Sequence, residues 1–131
     1  MISDLLNFAK EILGLKDLLA KAKRERRDRI ADYFGVVATT IQDAADSFRK
    51  GDIPHGKCKE MATHADAFAK VVDLEFGADQ AAAYAQRLKD AHEVELLANE
   101  VFGNNDPEVP IKELEEVAGT FRAISAEIRA T

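Results

Sequence analysis

The sequence predicts an all-α protein: an antiparallel four-helix bundle with an additional N-terminal helix. Three observations predict it. Apolar residues recur in alternating steps of three and four along most of the chain, which puts them on one stripe of a helix. Glycines at 51, 77 and 103 stand where several of these stretches end, as helix C-termini favour. No convincing strand pattern appears.

The clearest stretch runs from Arg29 to Gly51, where Ile30, Phe34, Val37, Ile41, Ala44 and Phe48 share a stripe. It is the predicted central helix. Before it, Leu5, Phe8, Ile12, Leu15, Leu19 and Ala22 predict an amphipathic helix over 3–22, with Ser3 as its cap and Asp4 in its first turn. That helix either packs on the bundle or detaches to dock on a partner or a membrane surface, though its charges are few and mixed for a membrane. After Gly51, Asp52 and Pro54 signal a new start. Cys58, Met61, Ala65, Phe68 and Val72 then mark a helix up to Phe76. A fourth helix is expected over 79–102, with Ala81, Tyr84, Leu88, Ala91 and Phe102 on one face and Val94, Leu97 and Val101 on another. The segment 103–110 reads as a loop. The last helix begins near Pro110 and carries Ile111, Leu114, Ala118, Phe121, Ile124 and Ile128. The whole is one domain, 1–131, in which 1–22 is the N-terminal helix and 26–131 the core bundle.

Composition limits the function. A chain of 131 residues can bury a real core, and 47 % hydrophobic with 32 % charged residues is ordinary for a folded domain. No apolar run reaches the roughly 20 residues of a membrane span, and the N-terminus has no secretory pattern. A single cysteine fits a reducing cytoplasm, where the protein is expected. The net charge of −6 argues against nucleic acid as a partner. Residues 21–29 nevertheless carry +4 and residues 75–116 carry −8. If one helix ran through the basic run, Lys23, Arg26 and Arg27 would share the apolar stripe of Ile30 and Phe34. Unpaired arginines cannot enter a core. The chain must therefore bend near 20–25, project these side chains past the bundle, or pair them with acids, and a bend with some pairing is expected.

Few residues suggest chemistry. His55, Cys58 and His64 are a weak zinc pattern, because Cys58 and His64 diverge by about 240° on a helix and a structural site needs four convergent ligands. Cys58 reads as a core residue and His64 as a surface partner of Glu60. The paired Glu-x-x-His motifs of a di-iron bundle are missing. So are phosphate loops, nucleophile elbows and the H-E-x-x-H motif. The informative oddity is His92, Glu95 and Asn99, which fall on the stripe of Ala81, Tyr84, Leu88 and Phe102 in a continuous helix. An acid there must pair, protonate or face a partner. It forms a structural ion pair with Arg26, Arg27 or Arg29, or it lines a polar pocket for a ligand or partner.

The segments RRDRIADYF and GDIPHGKCKEMATHADAF carry an Arg-rich start, DYF at Asp32–Phe34 and PHGKC at Pro54–Cys58. They resemble small helical modules of bacterial, notably cyanobacterial, conflict and signalling proteins, similar to effector-associated adaptor domains. The resemblance covers about residues 26–100 and implies helix-to-helix contact between proteins rather than catalysis. The expected function is thus a non-catalytic adaptor without cofactor or metal, binding another protein or a second copy of itself. Its expected partner surface is Arg24, Arg26, Arg27, Arg29, His55 and Lys57. The alternative is a small-molecule sensor or enzyme with its pocket around His92 and Glu95.

Overall fold

The computed structural model describes every residue from Met1 to Thr131 except His92. All regular structure among the described residues is helical: α1 (Ile2–Gly14), α2 (Lys16–Ala20), α3 (Arg24–Arg49), α4 (His55–Phe76), α5 (Ala78–Asp90), α6 (Val94–Phe102) and α7 (Glu108–Arg129).

Side-chain links show how the helices run. Arg49, at the end of α3, reaches Glu108 and Glu115 near the start of α7, while Arg129 at the end of α7 reaches Asp32. These two helices are antiparallel. Arg26 with Glu75 and Lys57 with Asp43 set α4 antiparallel to α3. Lys89 near the end of α5 meets Asp66 in the middle of α4, and with Gly77 as the joint between the two helices this folds α5 back antiparallel to α4. Ser3 with Glu113, Lys10 with Glu116 and Lys16 with Glu127 lay the N-terminal segment parallel to α7. Arg87 with Glu11 ties α1 to α5 on its other side.

The N-terminal helix is therefore part of the core. Ile2, Leu5, Ala9 and Ile12 are fully buried. The Phe8 ring sits 6.0 Å from Phe68, 5.6 Å from Tyr84 and 6.3 Å from Phe121. Phe34 stacks on Phe121 at 5.9 Å, which carries the same cluster into α3. Aromatic pairs at these separations add to the burial of their area.

Several predicted boundaries are corrected. The helix expected over 3–22 breaks at Leu15, just after Gly14, whose weak helix propensity favours an interruption there. Ser3 does not cap it; its hydroxyl donates to Glu113. The bend near 20–25 is present, since α2 ends at Ala20 and α3 starts at Arg24. The central helix begins five residues earlier than expected, because Arg26 has found acids to meet. The helix expected over 79–102 is two helices. One rod cannot aim the face of Ala81, Tyr84 and Leu88 and the different face of Leu97 and Val101 into the same core. The chain turns between them, and the Glu93 carboxylate accepts from the N–H groups of Glu95 and Leu96 to start α6.

Candidate functional site

The corner where α3 ends and α4 begins is built by local chemistry. Asp52 N–H donates to Ser47 O and Gly51 N–H to Phe48 O, the paired bonds of a Schellman ending, with Gly51 at φ 85°. The chain then cannot continue along the α3 axis. His55 N–H bonds Ile53 O, Pro54 leads into α4, and Ile53 is left pointing outward at 44 % exposure. Opposite stands α6. Ile53, His55, Val94, Glu95, Ala98 and Asn99 together line an open groove of about 240 Å³. Phe102 continues the exposed α6 face of Glu95 and Asn99, at 42 % exposure, with its ring 5.7 Å from Phe48.

This groove joins two predicted sets. His55, from the expected partner surface, meets Glu95 and Asn99, from the expected polar pocket. His92, the third member of that set, lies outside the described residues. The break before α6 separates Glu95 and Asn99 from the Tyr84 and Leu88 face, so both are exposed rather than on a buried stripe. Glu95 forms no ion pair with Arg26, Arg27 or Arg29. The Arg26 guanidinium instead grips Glu75 through Nε at 3.0 Å and Nη2 at 2.7 Å, and also donates to Val71 O. Hydrogen bonding to Glu75 raises the Arg26 pKa against the opposing effect of burial.

The expected partner surface divides in two. Arg24, Arg27 and Arg29 sit at the start of α3, with Arg26 beside them but engaged. His55 and Lys57 lie beyond its other end. A helix of 26 residues is about 39 Å long. Lys57 is held by Glu60 at 3.1 Å and Asp43 at 3.5 Å. Ile53 and Phe102 were missed in the sequence. The available signal was Ile53 itself, an apolar residue between Asp52 and Pro54 that belongs to no stripe.

A second, larger cleft of about 510 Å³ opens between the start of α1 and the α5–α6 junction, with Asp4, Asn7, Phe8, Arg87, Asp90 and Leu96 in its lining. Arg87 lies 5.1 Å over the Phe8 ring and pairs with Glu11. Cys58 is buried, and that burial, reinforced by the charge of Glu93, pushes its thiol up to about 11. A thiol so protonated is a poor nucleophile. Among the described residues no three His, Cys, Asp or Glu side chains are grouped to hold a metal ion.

His64 is not a surface partner of Glu60. Its Nε2 lies 3.2 Å from Thr40 Oγ1, and its carbonyl accepts from the Tyr33 hydroxyl. Thr40 spends its single proton on Val36 O, so Nε2 must be the donor to Thr40. Burial lowers the His64 pKa below the ordinary 6.5, against a smaller upward pull from Glu60. The unfolded chain therefore binds a proton in a range where the folded chain does not. Stability should be full above pH 6.5 and fall as the pH drops below that value toward the folded pKa. Denaturation midpoints across pH 5–8 check this. A His64→Gln variant should show a flatter limb below 6.5, and an unchanged slope would assign the loss to other groups.

The described chain is an all-α protein with an exposed apolar corner, and none of its helices is long and apolar enough to cross a membrane. Comparison with protein-family models, curated proteins and solved structures finds no match for it.

Proposed function

We propose that the protein is a non-catalytic interaction module that binds another protein through helix contacts at the α4–α6 corner. The observation that carries this reading is the gathering of exposed Ile53 and Phe102 around the groove of His55, Glu95 and Asn99. Apolar side chains held in water on a rigid frame mark contact surfaces. The frame is best read as an antiparallel bundle of α3, α4, α5 and α7 with α1 laid between α5 and α7. The resemblance of residues 26–100 to adaptor modules supports a role in bacterial signalling or defence, inside the cytoplasm.

Capture from a host lysate tests the surface. Ile53→Asp should reduce recovery of bound protein by about tenfold, or roughly 1.4 kcal/mol, with helicity unchanged by circular dichroism. Joint reversal of Arg24, Arg27 and Arg29 should leave that recovery intact. The opposite pattern would move the working surface to the start of α3.

A second reading rests on the larger cleft. Its volume of about 510 Å³ lies within the range of small-molecule sites, and it supports a sensor that takes its ligand beside Phe8 and Arg87 instead of Glu95. A thermal-shift panel of metabolites tests that reading, since a ligand of the folded state raises Tm.

A further inference from the structure

We infer that the α4–α6 groove selects a basic amphipathic helix: a partner segment with an apolar anchor flanked by lysine or arginine. This deepens the interaction reading above and rests on it. The apolar part of the argument is the groove floor. Ile53, Val94 and Ala98 offer hydrocarbon, and Phe102 extends it along one side of α6. A trough bounded by a helix and a turn suits the ridge of a second helix, whose anchors recur every three to four residues.

Charge complementarity decides which helix. From Asp90 to Glu108 the chain carries six carboxylates and no lysine or arginine. Part of that charge is spent inside the molecule. Glu100 accepts from Ile2 N–H, and Glu108 pairs with Arg49. Glu93 is turned to the first N–H groups of α6. Glu95 has no such partner among the described residues. It lines the groove itself, is exposed, and lies one helical turn from Asn99. Asp52, exposed in the turn after α3, precedes the lining residue Ile53 in the chain. A docking helix with acidic flanks would place like charge against Glu95. One with basic flanks would pair with it in a partly desolvated setting, where such pairs set partner choice and association rate. Lys57 does not cancel this charge, since it is held by Asp43 and Glu60, and the exposed Lys50 and Lys59 are not among the residues that line the groove.

The test uses the full chain and labelled synthetic helices of about four turns, read by fluorescence anisotropy. One has leucines along one face and lysines beside them, the second has glutamates for the lysines, and the third has serines for the leucines. The lysine helix should bind about tenfold tighter than the glutamate helix at low ionic strength, and the serine helix should not bind. Ile53→Asp should abolish binding. Glu95→Lys should invert the preference toward the glutamate helix. Asp79→Lys, the same change in net charge at the exposed start of α5, should leave it unchanged. Equal losses from Asp79→Lys and Glu95→Lys would overturn the proposal, because bulk charge would then explain the binding. A groove-dependent complex with the glutamate helix would also overturn it while leaving the interaction reading standing. Absence of binding to every helix, in a chain whose helicity is intact, would remove both from this surface.

Discussion

Phe8→Ala is expected to destabilise the protein by about 3–5 kcal/mol, the usual cost of deleting a buried phenylalanine. Phe8 is 2 % exposed and touches rings from three other helices, Phe68 in α4, Tyr84 in α5 and Phe121 in α7. Removing it leaves a void where four helices converge and strips Arg87 of the ring it covers. Domains of this kind have a total stability of about 5–15 kcal/mol, so the loss is a large fraction of the whole. The measurement is a denaturant titration with the slope m held against the parent. A single cooperative transition at lower denaturant is the expected result. A loss below about 1 kcal/mol would mean that the N-terminal helix docks loosely, as a detachable arm would.

Gly77→Ala should cost roughly 1–3 kcal/mol, although nothing stands within 4 Å of the added methyl group. The reason is the backbone. Gly77 joins α4 to α5 at φ 84° and ψ 152°, a conformation open essentially to glycine alone. The same substitution at Gly119, exposed within α7 and equally unobstructed, should stabilise by about 0.5–1 kcal/mol through helix propensity. Thermal unfolding of the two variants side by side should give shifts of opposite sign. A neutral or stabilising shift from Gly77→Ala would show that the α4–α5 joint tolerates other backbone angles.

Much of this architecture could be read from residue spacing. The stripe of Ile30, Phe34, Val37, Ile41 and Phe48 is buried as expected, and Gly51 ends its helix by the bonds that glycine permits. What could not be read depended on distant residues. The α5–α6 break left a trace in the spacing, since Val94, Leu97 and Val101 fall on a different face from Ala81, Tyr84 and Leu88; one helix with two apolar faces also fits that pattern, and only the tertiary core, which takes both faces, requires two helices. The start of α3 was placed late because the acid that accepts Arg26 lies 49 positions away. The groove is legible only in pieces. His55 stood out as part of a helix start, and Glu95 and Asn99 as polar residues on an apolar stripe. Ile53 left a local sign in belonging to no stripe, but nothing local tells that two segments some 40 residues apart form one surface, nor that Phe102 stays in water.

The account depends on that corner being the working face of the molecule. Backbone amide spectra of the labelled protein, recorded while the leucine–lysine helix is added, test it most directly. The account predicts shifts confined to residues 51–59 and 93–103, with the start of α3 and the α1–α5 cleft undisturbed. Shifts centred on Arg24–Arg29 or on the cleft beside Phe8 would contradict it.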